Sequence, residues 1–179
     1  MRKLVACAAL LSFEALVFAQ SPAGMLSSLT EPHDYVLKRL SSWDRTGAND
    51  DSRQIKPGET LVLVDQAGPG SITHVWITIA SREPFHLKKL VLRMFWDDEQ
   101  KPSVETPVGD FFGLGLGDYV RYESYPLAVG SDKALNSFFP MPFQRHARIT
   151  VTNEGQQLVN DFYFNIDCRV YSKPLPGRK

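Results

Sequence analysis

Cysteine is nearly absent from this chain of 179 residues: it has two, Cys7 and Cys168. If Cys7 is lost with a leader segment, no disulfide can form within the chain and no cysteine cluster can hold a metal. Charge of one sign is missing as well. Lys+Arg 20 balances Asp+Glu 20, which removes the electrostatic case for nucleic acid. The four histidines, His33, His74, His86 and His146, are scattered, and no two share a metal-ligand spacing. No serine sits in a Gly-x-Ser-x-Gly elbow. Gly113-Leu114-Gly115-Leu116-Gly117-Asp118 has the wrong spacing for a dinucleotide loop and no Lys-Ser/Thr after it, so it reads as a glycine-relaxed loop. Neither a metal nor an organic cofactor is expected. Helical periodicity is scarce, and there is no internal repeat or low-complexity block.

Aromatic side chains are plentiful, with Phe 11, Tyr 6 and Trp 3, which favours strands over a helical bundle. Residues 1–19 read as an export signal: Arg2 and Lys3 lead an apolar stretch to Phe18, and Val17-Phe18-Ala19 presents small residues for cleavage. The expected location is therefore secreted or periplasmic. The stretch is short for a membrane span, and no span is expected elsewhere. Residues 20–40 form a lead-in with a short helix over Asp34–Leu40, capped near Glu31 or Asp34.

From there the sequence is written in strand periods. Leu61–Val64 ends in the turn Asp65-Gln66-Ala67-Gly68-Pro69-Gly70. Over Ile72–Ala80 the alternation places Thr73, Val75, Ile77 and Ile79 on one face and His74, Trp76 and Thr78 on the other. Leu90–Trp96 closes at the charged turn Asp97–Lys101, and a further strand runs through Val104 and Glu105. Arg148–Thr152 is a shorter strand. The clearest is Phe162–Val170, where Phe162, Phe164, Ile166, Cys168 and Val170 alternate with Tyr163, Asn165, Asp167 and Arg169. Short strands between Gly, Pro and Asp turns predict an all-β chain, a β-sandwich or jelly roll, over residues 41–173. Residues 174–179 have the composition of a linker.

The candidate site is Ser41–Asp51, with Trp43, Asp44, Arg45, Asn49 and Asp51 as its functional groups. Three carboxylates, a guanidinium, an amide and three hydroxyls cannot be buried in a strand without partners, so the stretch is a loop. Two readings stand side by side. In one, the carboxylates and Asn49 accept from sugar hydroxyls, Arg45 donates, and Trp43 offers a flat apolar face. In the other, Asp44 and Asp50 bond nearby backbone N–H groups in a solvated Asx-turn. Asp110, in Gly109-Asp110-Phe111-Phe112-Gly113, is either a sugar-binding carboxylate beside aromatic rings or a turn cap. Phe138-Phe139-Pro140-Met141-Pro142-Phe143 plugs a core edge or makes a subunit contact.

Four motifs in this order resemble one family. They are Ser41–Gly47 with Asn49 and Asp51, Gly68–Ile72 followed by Val75-Trp76, Pro107–Gly113, and Phe139–Phe143. The chain resembles domain of unknown function 2961, grouped as glycoside hydrolase family 172, whose members act on fructofuranosides and arabinofuranosides. Ala48 stands where the resemblance leads one to expect a second glycine. The resemblance implies two jelly rolls per subunit, assembled as trimers or larger, and a retaining mechanism with two glutamates. It places those glutamates in Trp-Gly-Glu-Gly-Asp and Gly-Thr-Glu-Asp-Tyr motifs of the second jelly roll. Neither motif occurs in this sequence. The expectation is an N-terminal jelly roll that binds a furanoside-containing glycan and has no catalytic residue of its own. Its partner is a missing second jelly roll or further copies of itself. A stand-alone carbohydrate-binding or assembly module and a truncated gene product are the alternatives.

Overall fold

The structure is a computed structural model that describes residues 32–130 and 133–176. The expected export signal lies outside the described residues. From Asp34 onward the described residues form one compact unit. Its strands are β1 (Tyr35–Ser41), β2 (Arg53–Ile55), β3 (Thr60–Ala67), β4 (Gly70–Ser81), β5 (Leu90–Trp96), β6 (Val104–Pro107), β7 (Tyr122–Glu123), β8 (Leu127–Val129), β9 (Leu135–Ser137), β10 (Met141–Phe143), β11 (His146–Asn153) and β12 (Val159–Tyr171). Two single-turn helices, α1 (His86–Lys89) and α2 (Val108–Phe111), precede β5 and follow β6. None of the described helices is long and apolar enough to cross a membrane.

Two antiparallel sheets form a sandwich of jelly-roll type. The larger runs β1-β12-β4-β9-β8-β7, with β10 added to β4 and β2 to β12. The smaller runs β3-β11-β5-β6. Val75, Ile77, Phe162, Phe164 and Ile166 from the larger sheet pack over Leu92, Met94, Ile149 and Val151 from the smaller. Each such side chain contributes roughly 1.5–3 kcal/mol through burial. The period-two pattern of β12 dictates this arrangement: Phe162, Phe164, Ile166 and Cys168 are buried, and Tyr163 and Arg169 face solvent.

Three expectations need correction. The helix over Asp34–Leu40 is instead β1, paired to β12 in seven consecutive registers from Tyr35↔Tyr171 to Ser41↔Asn165. Val36 and Leu37 are exposed at this sheet edge, so no alternation betrays the strand. On β4, Ile72 rather than Thr73 is the buried residue. A bulge leaves Thr73 unpaired as the register steps from Asp167↔His74 to Cys168↔Ile72, which resets which side chains face the core. Finally, Asp65, Gln66 and Ala67, expected in a turn, extend β3, and the chain reverses at Gly68-Pro69. A second bulge, beside Ile149, buries the adjacent Leu63 and Val64.

Candidate functional site

The polar loop leaves the sandwich where β1 ends. Ser42 fixes its start: the Ser42 N–H donates to the Phe164 carbonyl and the Phe164 N–H donates to the Ser42 hydroxyl, both at 3.1 Å. With this residue buried, the pair extends the grip of β12 one step beyond β1.

Asp44 organises the turn itself. Its carboxylate accepts the Thr46 N–H at 2.8 Å and the Thr46 hydroxyl at 2.7 and 2.9 Å. The N–H groups of Ala48 at 2.9 Å and Asp50 at 3.3 Å complete the set. These bonds, those from Thr46 foremost, hold the Asp44 carboxyl below the usual carboxylate range. Asp51 closes the loop by accepting the Asp44 N–H at 2.6 Å. The loop turns through the left-handed region at Gly47 and Asn49, the residue types that tolerate it best. On the far side, Arg53 donates to the carbonyls of Ser52 at 2.6 Å and Asp50 at 3.2 Å.

This leaves Trp43 and Arg45 facing outward. Trp43 is 53% exposed, and the Arg45 guanidinium lies 6.0 Å from its ring centre. Arg45 has no carboxylate partner among the described residues. Both line an open cleft of about 540 Å³, with Arg39 and Arg53 on its polar wall and Leu61–Leu63 and Phe164 on its apolar side. Arg39 is held by Asp167 through two bonds of 2.7 and 3.0 Å.

The six sequence-predicted residues therefore divide. Trp43, Asp44 and Arg45 line the cleft, while Asn49 and Asp51 shape the loop behind it. Asp110 is not brought to the cleft. It sits in α2, after β6 at the opposite edge of the smaller sheet from β3, where the Lys88 ammonium donates to both its oxygens at 2.6 and 2.7 Å. That pairing makes it an anchor for the glycine loop, since Lys88 also donates to the Gly115 carbonyl. Arg39, Arg53 and Phe164 were missed. Arg53, two residues past Asp51, was within reach of a sequence reading; Arg39 and Phe164 reach the cleft only through the β1–β12 pairing.

Several glutamates elsewhere are engaged. Glu83 pairs with Lys89 at 2.8 Å, and Glu105 and Glu154 both bridge Arg93 at 2.7 and 2.8 Å. Glu59 accepts the Lys56 N–H and Glu99 the Ser103 hydroxyl. Among the described residues, each carboxyl with a displaced pKa, namely Asp44, Glu83, Asp97 and Asp167, is displaced downward. Such groups stay ionised at neutral pH and can accept hydrogen bonds but not donate a proton.

No curated protein matches this sequence. The GH172 domain-like family model matches residues 45–166, from Arg45 in the loop to Ile166 in the core strand β12, and the chain belongs to that family.

Proposed function

We propose that this chain is the sugar-holding jelly-roll portion of a secreted, furanoside-active glycoside hydrolase, and that the catalytic glutamate pair is supplied by another segment. Family membership makes a glycoside-hydrolase-related role the starting point. The observation that carries the finer reading is the division of labour in the β1–β2 loop. Asp44 and Asp51 are consumed in shaping it, while Trp43 and Arg45 are left free over an open cleft. A flat indole suits the C–H face of a sugar ring, and a guanidinium fork suits its oxygens.

Hydrolysis with retention needs a nucleophile and an acid/base about 5–5.5 Å apart, the acid with a raised pKa. The downward displacements of Asp44 and Glu83 suit hydrogen-bond acceptors and do not suit the general acid of that pair.

Calorimetric titration with fructofuranosides and arabinofuranosides tests the reading, alongside hydrolysis of aryl furanosides. The expected result is saturable binding without turnover, with turnover appearing when a segment bearing the two glutamates is added. Turnover by the chain alone, abolished by changing one of its own carboxylates, overturns it.

A further inference from the structure

The outer face of the larger sheet, turned away from the core, carries a row of aromatic and amide side chains. Strand pairing sets Trp76 between Asn165 on β12 and Asn136 on β9, and sets Tyr163 opposite Thr78. Successive outward positions lie about 6.6 Å apart along a strand, so the row is a ladder of evenly spaced polar and aromatic rungs. At one end the groups are already engaged. Arg39 holds Asp167, His74 lies 3.5 Å from Asp167, and its other nitrogen is 3.1 Å from the Asn136 amide oxygen.

Beyond that end the engagement stops. The Trp76 indole N–H, the Asn165 amide and the Tyr163 hydroxyl make no hydrogen bond within the described residues. The row then opens into a concavity of about 680 Å³, floored by Thr78 and walled by Tyr163, Asn160, Asp161, Arg82 and Lys133. Asn160 is set there by a register shift between Val159 and Asp161. This concavity shares no lining residue with the Trp43 cleft.

The chemistry of the face selects its occupant. The core of a protein–protein contact is apolar, and covering the Trp76 indole N–H, the Asn165 amide and the Tyr163 hydroxyl with such a surface would leave them unsatisfied at a cost. Between the Arg39–Asp167 pair and the concavity, the rungs Trp76, Asn165, Asn136, Tyr163 and Thr78 are uncharged, and in the concavity Arg82 and Lys133 stand with Asp161, so the face has no continuous positive track for a polyanion. Flat rings beside amide donors and acceptors match a neutral polyhydroxylated chain running along the strands.

We propose that this face is a second glycan-binding surface, which holds an extended neutral polysaccharide while the Trp43 cleft takes a single furanoside. The proposal rests on the glycoside-hydrolase-related reading of the chain and adds a site to it.

The test uses the full chain and two probes: a soluble neutral furanose polysaccharide in native affinity gels, and a monofuranoside in calorimetry. Tyr163→Ala, at an exposed position, is the first variant and Trp76→Ala the second, each checked by thermal melting. Tyr163→Ala is expected to lower polysaccharide affinity about tenfold, equivalent to about 1.4 kcal/mol, and to leave the monofuranoside titration unchanged. Unaltered retention of both folded variants overturns the proposal. So does polysaccharide binding that disappears with Arg45→Ala alone, because the cleft would then account for both ligands. A change in sedimentation on Tyr163→Ala with retention intact overturns it in favour of a protein contact. Monofuranoside binding without any polysaccharide retention sinks this surface and leaves the proposed function standing. Failure of both probes sinks both.

Discussion

The Glu83 carboxylate occupies the space that a β-carbon on Gly155 would need. It accepts the N–H of Gln156 on both oxygens and that of Gln157 on one, all at 3.0 Å, with Lys89 at 2.8 Å. Glu83 thereby ties the segment before α1 to the β11–β12 turn, and its side chain is only 4% exposed. Gly155→Ala is expected to destabilise the fold by about 1–3 kcal/mol through overpacking, measured by denaturant unfolding.

The same clasp has a pH signature. Lys89 first, then the Gln156 N–H, lowers the Glu83 carboxyl from 4.5 to about 2. A depressed folded pKa gives stability that is fully present above the unfolded value and lost as pH falls through the folded one. The stability gap between the native protein and Glu83→Gln should be widest above pH 4.5 and close toward pH 2. A gap that stays constant across that window would show that the charge of Glu83 contributes nothing.

In the loop, Arg45→Ala and Asp44→Ala should fail differently. Among the described residues, Arg45 has no partner beyond the Trp43 ring, so its loss should weaken furanoside binding with the melting temperature unchanged. Asp44→Ala removes the acceptor for Thr46, Ala48 and Asp50, so their amides should exchange faster with solvent and binding should fall as well. If Arg45→Ala lowers stability and leaves affinity intact, the loop is purely structural.

How much of the fold and the site was legible depends on where the signals lie. β12 could be read because a strand with one face in the core must alternate. The loop could be read because its polar groups have no place in a core. β1 could not, since an edge strand with Val36 and Leu37 in solvent has no preferred face to write into its sequence. The Thr73 bulge could not either, because a bulge is a relation between two strands. Glu83 was passed over for a similar reason: its partners at Gln156 and Gln157 are backbone N–H groups, which every residue but proline has. The resemblance singled out Asp110, but its Lys88 partner lies twenty-two positions away.

Phe143 fills the sandwich edge where β3 turns into β4. It is 2% exposed, stacks on Trp96 at 6.3 Å, and its ring lies against the backbone of Gly68 and Gly70. Phe143→Ala should cost about 3–5 kcal/mol, read from denaturant unfolding. The rest of its segment behaves otherwise: Phe138 and Phe139 are 48% and 40% exposed. The two alternatives for Phe138–Phe143, a core-edge plug or a subunit contact, therefore divide: Phe143 plugs the core edge, while Phe138, stacked on His74 at 4.8 Å, and Phe139 keep exposed ring surface. Sedimentation velocity should show self-association that Phe139→Ser reduces; a concentration-independent monomer would refute this.

Export makes its own demand. If residues 1–19 direct secretion, the exported protein should begin at Gln20 on N-terminal sequencing. Intact Met1 on material retained in the cytoplasm would rule the signal out.

The pairing of β1 with β12 also fixes how the domain bears mechanical load. Tyr35 and Tyr171 face each other at one end of that ladder, and Ser41 faces Asn165 at the other. Tethers pulled apart from before Tyr35 and after Tyr171 would load the Tyr35–Tyr171 rung alone, then the next, peeling β1 away as a zipper opens. Force spectroscopy should register yielding at low force. The Trp43 loop, fastened by Ser42 beyond the last rung, would be the last part of this edge to let go, so the proposed binding cleft would keep its shape while the outer rungs part.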